Sequence, residues 1–455
     1  MTSMTAAPPL STLGQTTLRK VRRRIMPLIV VLYFIAYLDR NNVGFAKLGM
    51  QSDIGLTEAA YGLGAGIFFL GYALLEIPSN GGMYRYGARK WIARILITWG
   101  IFATAMFMVN GEVMFYIIRF LLGAAEAGFF PAILFYLTLW FPAAQRVTVL
   151  GIFILAQPIS NALGAPVSGM LLNMEGILGL HGWQWVYIIE GIPAILLGII
   201  TPFVMTDRPE HAKWLKPEER EWLTSTMNKE LADKQKSGNH SFLAGLKDPR
   251  TIAYSGLYFG LVCGIYGLGL WMPTIVKALG KFDSTQVGFI VFIPYAIAAV
   301  FVYFWSKRSD RTGNRVWHAC VSMAMAAVGL LGAGYLLPVN AVLAMIFLTI
   351  AAMGIYSAIA PFLAMPSAAL TGAAAAAGLA MVNSLGNLGG FVAPYVVGLL
   401  KDATGNSQSG LTFLAACLAI TSVATYLYAR KRPEGVSAPA ATVAAPAATT
   451  VSETR

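Results

Sequence analysis

Twelve apolar runs, each about as long as a helix needs to be to cross a bilayer, recur along this chain of 455 residues. They lie roughly at 27–46, 59–79, 91–110, 113–138, 147–172, 184–205, 251–275, 285–305, 315–336, 341–363, 371–400 and 410–429. Only 12% of the residues are charged, against about 25% in soluble domains. So few charges cannot cover a water-facing surface of this size, and most of the outside must face lipid. Within lipid, every backbone N–H and C=O must be satisfied inside the element, and a helix does that. The expected class is therefore all-α: twelve transmembrane helices in two pseudo-symmetric bundles of six. The polar interval 206–250 divides the runs six and six. The expected organisation is a cytoplasmic N-terminal segment (1–25), a first bundle (26–205), a partly helical cytoplasmic linker (206–250), a second bundle (251–430) and a disordered cytoplasmic tail (431–455). The first run leads straight into further spans, so it reads as an uncleaved first helix.

The positive charge has a simple topological account. Of the 33 Lys and Arg residues, 27 lie on or beside the segments that share a side with both termini. Four, Lys47, Lys277, Lys281 and Lys401, lie on the other side, and Arg40 and Arg119 fall within spans. This asymmetry places both termini in the cytoplasm. It also makes nucleic-acid binding the wrong inference from a net charge of +12. Cys263, Cys320 and Cys417 sit in apolar stretches with no paired spacing, and the four histidines are scattered. No disulfide framework, metal site or cofactor is expected. No phosphate loop or nucleophile elbow points to an enzyme.

The two halves echo each other. Arg85-x-Gly87-x-Arg89 follows the second run, and Arg311-x-Gly313-x-Arg315, preceded by Asp310, follows the eighth. The phrases stand 226 residues apart, at the same place in each half. Internal repeats of this kind are what a two-bundle transporter predicts. Glycine permits the tight turn, and the cations can brace neighbouring helix ends.

Ionisable groups inside a bilayer cost about 2.5–3.5 kcal/mol each on insertion scales and are functional candidates by default. Here they are Asp39 and Arg40 in the first run, Glu76 in the second, Arg119 and Glu126 in the fourth and Glu190 in the sixth. Arg119 and Glu126 are seven residues apart, so two helical turns bring both to one face and toward one cavity. Asp39 is placed to neutralise Arg119 across a helix interface, and Arg40 points about 100° away from Asp39. Two carboxylates would exchange protons, and one or two guanidiniums would hold an anion. Purely structural use of this ionic network is the competing account, although it would cost desolvation that apolar residues avoid. Glu76 and Glu190 read as gate or loop partners rather than coupling groups.

These strings resemble one known group. The Arg-x-Gly-x-Arg loops resemble the signature loop of the major facilitator superfamily, although Tyr84 and Asn80 depart from it in the first copy. Within that superfamily, the segments Tyr37–Asn42, Gly71-Tyr72 with Ile77-Pro78, Arg119–Pro131, Trp271–Lys277 and Asn383–Asn387 resemble the anion:cation symporter family. The resemblance implies a major facilitator fold and proton-coupled import of a small organic anion across a bacterial inner membrane. It implies proton carriage by Asp39 and Glu126 and a substrate-carboxylate ligand at Arg40; Arg119, from its place in the fourth run, is the second guanidinium expected at the substrate. It places cavity hydrogen-bond partners at Tyr37, Tyr72, Gln157 and Asn383. Each of these also has a purely structural reading, the tyrosines as core aromatics and the amides as helix-packing groups. The loop residues Arg85, Gly87, Arg89, Asp310, Arg311 and Gly313 are implied gate elements, and the missing acid in the first copy implies a weaker contact there. The implied partners are protons, a hydroxylated or aromatic carboxylate, and lipid, with the protein a monomer. The alternatives are a proton antiporter that exports a drug-like compound and a membrane sensor on the same scaffold. Arg40 beside Asp39, and Ala165 where an antiporter motif has Gly, disfavour the first. The absence of a signalling domain disfavours the second.

Overall fold

The computed structural model describes residues 11–236, 248–369 and 372–431. The first ten residues, the linker stretch 237–247 and the tail beyond Lys431 lie outside the described residues. Helix α1 is Thr12–Asp53, α2 Glu58–Tyr86, α3 Ala88–Ala105, α4 Glu112–Glu126, α5 Phe129–Trp140, α6 Ala143–Ile154, α7 Ala156–Leu171 and α8 Gly182–Val204. The linker helix α9 is Pro217–Lys236. The second half follows as α10 Pro249–Ala278, α11 Ser284–Thr312, α12 Arg315–Leu336, α13 Ala341–Ala369, α14 Gly372–Asn387, α15 Gly389–Thr404 and α16 Gln408–Lys431. Polar side chains close several helix starts. Ser11, Thr57 and Asn314 accept from the amides of Gly14, Ala60 and Trp317, and Asp283 forms a reciprocal box with Gln286.

Ten spans meet the length and hydropathy expected of a membrane crossing. The other two are α1, which carries Asp39 and Arg40, and the pair α14–α15, which is interrupted at Leu388. Together they make the twelve spans, six before and six after the linker.

Three expected single spans are broken helices. Residues 113–138 divide into α4 and α5 at Ala127–Gly128, where Gly128 has φ +84°. Residues 147–172 divide at Leu155, three residues before Pro158, whose ring cannot support the hydrogen bond to Ile154. Residues 371–400 divide at Leu388. Continuous hydropathy hides these breaks because it reports burial, not backbone bonding. Helix α1 is unbroken from Thr12, so Arg19–Arg24 ride on a helical extension of the first span.

The packing between halves follows a two-fold pattern. Helix α2 (second span) packs on α15 (eleventh), and α7 (fifth) packs on α11 (eighth). Exchanging the halves turns each of these pairs into the other. Helices α1 and α10, the first of each half, meet near the axis. Helix α10 is accordingly 89% buried over its apolar window, whereas α8 and α11 are 39% buried and present their remaining faces to lipid. Exposed apolar residues such as Leu74, Val113, Phe203, Val300 and Ile420 make the lipid-facing belt.

The linker is fastened to the first half at the face where α1 begins and α16 ends. Lys20 pairs with Glu219, Arg146 pairs with Glu230 at 2.8 Å, and Trp214 stacks on Trp140 with 5.5 Å between ring centroids. The Arg89 loop is fastened beside it. Asp207, just past α8, accepts from the Arg89 amide at 2.9 Å and pairs with its guanidinium at 3.2 Å. An acid from outside the loop thus pairs with Arg89, within the first half. Arg85 is exposed and lies 5.5 Å from the Tyr86 ring. Gly87 and Gly313 close their turns at φ +85° and +66°, values that a side chain would strain. Asp310 and Arg311 are exposed on the last turn of α11.

Candidate functional site

A narrow cavity lies between the halves. The first half contributes Tyr33, Tyr37 and Arg40 from α1, Tyr72 from α2 and Gln157 from α7. The second contributes Tyr258 and Tyr266 from α10, and Asn383 and Asn387 from α14. Five of the six proposed ligand positions therefore share one wall: Arg40, Tyr37, Tyr72, Gln157 and Asn383.

Arg40 is the centre of this wall. Its Nη2 pairs with Glu126 Oε1, and its Nη1 donates to Tyr266 Oη at 2.7 Å. The guanidinium lies 5.0 Å from the Tyr37 ring centroid, 5.4 Å from Phe68 and 5.5 Å from Tyr72. Rings hold a guanidinium by their negative faces without neutralising it, so it keeps its pull on an anion. Arg40 Nε has no hydrogen-bond partner among the described residues. A buried cation with an unused donor, beside open space, is chemically suited to a carboxylate.

Of the four ionic groups only Arg40 and Glu126 pair directly, and the expected Asp39–Arg119 contact is corrected. Asp39 turns away from Arg40, and its Oδ2 accepts from Trp99 Nε1 at 2.8 Å. Arg119 does not meet Asp39 or line the cavity. It donates to the carbonyls of Gly64 and Ala65 at 3.3 and 3.0 Å and lies 5.0 Å from the Phe68 ring. The cause is close packing of α4 on α2. A Cβ at Gly123 would lie 1.9 Å from the Phe68 carbonyl oxygen, so the Arg119–Gly123 stripe seals against that helix. Glu126 ends α4, where the chain breaks, and from there it reaches Arg40 on α1.

Two further carboxyls are placed by the structure. Glu190 is buried within the first half, where Ser168 donates to it at 2.6 Å, so it is not an inner gate. Glu76 crosses between halves and accepts from Asn383 Nδ2 at 2.7 Å and from the Ser384 hydroxyl. Tyr266 was missed in the sequence. The available signal was its position two turns beyond Tyr258 on one helix.

The cavity is closed toward the face opposite the start of α1. There Glu58 binds Lys47 of its own half and Lys401 of the other, the latter at 2.6 Å. Asp402 accepts from the amides of Glu58 and Ala59 at 3.1 and 2.7 Å, completing the start of α2 across the interface. Lys47 lies 3.8 Å from the Trp271 ring and 4.5 Å from that of Tyr61. Deeper in, Asn161 accepts from Asn41 and donates to Tyr356, each at 2.7 Å. A nearby loop is pinned by Glu175. The Gly182 amide lowers the Glu175 pKa, and the hydrogen bond that His181 donates to Glu175 raises that of His181.

Lys401→Met removes the side-chain arm from the other half and leaves Lys47 on the Glu58 carboxylate and Asp402 on the α2 amides. The expected result is about fivefold faster labelling of Ala59→Cys by an impermeant maleimide, with Cys263, Cys320 and Cys417 replaced. That factor corresponds to about 1 kcal/mol of lost closure. Unchanged labelling would show that Glu58 and Lys401 do not hold the face shut.

Relatives of known type share this architecture. The description Major Facilitator Superfamily matches residues 29–394 and 257–452. A proposed tartrate transporter of Agrobacterium vitis is 50% identical over 424 residues, covering 93% of this chain and 97% of its own. A quinolone resistance transporter of Acinetobacter baumannii is 42% identical over 410 residues, covering 90% and 94%. A bacterial homologue of the human lysosomal transporter Spinster, solved inward-facing and occupied, superposes with a TM-score of 0.73 at 16% identity, covering 92% of this chain and 99% of its own. With twelve spans, a two-fold packing pattern and a match along most of its length, the chain belongs to the major facilitator superfamily, and it is a multi-pass membrane transporter.

Proposed function

We propose that the protein imports a small organic carboxylate together with protons. The observation that carries this reading is the Arg40–Glu126 pair on the wall of a cavity between the halves. A substrate carboxylate that takes Arg40 competes with Glu126 for the same cation. Glu126 then loses the partner that favours its ionised form, and a proton replaces it. By linkage, a proton on Glu126 frees Arg40 and strengthens anion binding. Asp39, one position along α1 and held by Trp99, is the second proposed proton site. Tyr37, Tyr72, Gln157 and Asn383 supply rings and hydrogen bonds around the anion. Arg119 is assigned to holding α4 on α2.

Transport follows by rocking of the two halves about the cavity. The side with fewer basic residues, closed by Glu58, Lys47 and Lys401, would be the outside, and both termini would be cytoplasmic. The tartrate-transporter relative supports a carboxylate cargo. The quinolone-resistance relative favours a second reading, export of a drug-like compound.

Purified protein in liposomes distinguishes the two. With the interior made alkaline, labelled tartrate or an aromatic carboxylate should accumulate above its external concentration. The gradient should lose its effect when collapsed with a protonophore. Proton-driven expulsion of a quinolone, with no carboxylate uptake, would establish the export reading instead.

A further inference from the structure

Asp39, turned away from Arg40, belongs to a second polar cluster inside the first half. Glu190 on α8, Asn42 on α1 and Ser168 on α7 are buried there with it. Ser168 Oγ donates to Glu190 Oε1 at 2.6 Å, and Asn42 is the other polar side chain within reach of Glu190. Asn42 stands three residues past Asp39, one turn along the same face of α1. Of the carboxyls around Asp39, Glu190 acts on it more strongly than Glu126 does. Asp39 Oδ1, Asn42 Oδ1 and Glu190 Oε2 are buried and have no hydrogen-bond partner among the described residues.

Among the described residues no cation pairs with Glu190. On α1, Arg40 is turned to Glu126 and Lys47 to Glu58. Helix α7 and the turn Met106–Met108 carry no titratable residue, and α3 presents Trp99 and Thr104. Tyr187, three residues back on α8, is the remaining titratable neighbour. A Cβ at Gly191 would lie 2.7 Å from Thr104 Oγ1, so the α3 side is closed. A buried carboxyl without a cation is costly as an anion, so it keeps its proton until a nearby base takes it.

The cluster opens toward the interface between the halves. Asn42 and Ser168 line a pocket there with Asn41, Asn161 and, from the second half, Tyr295. Tyr37 lines both this pocket and the substrate cavity. The Asn161–Tyr356 bond joins the halves beside it.

We infer that Glu190 is a proton relay that loads Asp39 from this pocket. It rests on the proposal that Asp39 carries a coupled proton. Parting of the halves on the Glu58 side breaks the Asn161–Tyr356 bond and admits water to the pocket. Glu190 then gives its proton to ionised Asp39 at Oδ1. Ser168 passes its hydroxyl proton to Glu190 Oε1 and takes another from the pocket. One proton has reached Asp39, and Ser168 and Glu190 are as they began. Asn42 suits both states of Glu190, since an amide has donors for a carboxylate and an acceptor for the protonated acid.

Lumen acidification and solute counterflow test this in liposomes, with labelled tartrate or benzoate, whichever the wild type carries. Glu190→Gln keeps an oxygen for Ser168 but has no proton to pass on. It should retain counterflow and slow substrate-driven acidification about hundredfold, the lower end of what a positioned proton-transfer group contributes. Glu190→Asp should recover most of the rate. Ser168→Ala leaves the carboxyl in place and should also slow acidification more than counterflow, which carries the test if Glu190→Gln does not fold. Acidification at the wild-type rate in Glu190→Gln, or in Ser168→Ala where the former does not fold, would overturn the inference and leave proton coupling standing. So would an equal loss of acidification and counterflow, the result of a purely structural Glu190. Wild-type protein that carries the labelled acid without acidifying the lumen would remove the coupling and the relay together.

Discussion

Arg40→Ala should abolish carboxylate uptake and substrate binding together. Arg40 is the one cation among the described residues lining the cavity. A hydrogen bond to a charged group contributes about 1.5–3 kcal/mol. Removing one partner of a buried ion pair costs about 3–5 kcal/mol more, because Glu126 is left without its cation. Part of that second cost falls on folding, and Glu126 can bind a proton in response. The binding loss alone corresponds to roughly ten- to hundredfold, since 1.4 kcal/mol is a factor of ten. Uptake should fall by at least that much. Arg40→Lys should rescue only part, because a point-like ammonium cannot serve Glu126, Tyr266 and a carboxylate with a planar fork. Substrate-induced thermal stabilisation of the purified variant gives the binding half of the test, and radiolabel uptake gives the transport half. Normal stabilisation by substrate in Arg40→Ala would place the anion elsewhere.

Glu126→Gln should produce a different defect. The amide oxygen can still accept from Arg40, so the wall keeps its shape, but the side chain no longer exchanges a proton at neutral pH. Substrate on one side should still exchange for substrate on the other. Accumulation driven by a pH gradient should disappear. One coupled proton can concentrate solute about tenfold per pH unit, because one unit is worth 1.36 kcal/mol. Losing that driving force returns the internal concentration to the external one. Asp39→Asn should act in the same direction, since Asn can keep the contact with Trp99 while losing the proton. Asp39 Oδ1 has no hydrogen-bond partner among the described residues, so one oxygen remains available to a proton in the wild type. Counterflow and gradient-driven uptake, measured on the same liposomes, separate the two activities.

Much of the scaffold could be read from sequence because bilayer physics is restrictive. Span length and the repeated Arg-x-Gly-x-Arg loop each depend on one local variable. The grouping of Arg40, Tyr37, Tyr72, Gln157 and Asn383 depended instead on resemblance, since these positions come from four helices. The expected Asp39–Arg119 contact failed for a definite reason. Helical spacing gives the face on which Arg119 sits, but not which neighbour covers that face. Gly123 lets α2 come close enough to cover it, and the α2 carbonyls take the guanidinium. Spacing also placed Glu126 beside Arg119, whereas the end of α4 at Glu126 lets it reach α1 instead. Tyr266 shares a helix face with Tyr258, but that spacing alone does not show that the face meets Arg40. Glu76 was visible as a buried charge, but its bond to Asn383 spans 307 positions and requires the two halves to be docked.

Liposomes loaded with a pH-sensing dye and holding the Glu126→Gln, Asp39→Asn double variant give the sharpest comparison with wild type. Adding the transported carboxylate outside should acidify the lumen with wild-type protein, as each anion brings protons inward. The double variant should exchange the same solute without acidification. Equal acidification in both would mean that protons travel by another route and that these two carboxyls do not join the fluxes.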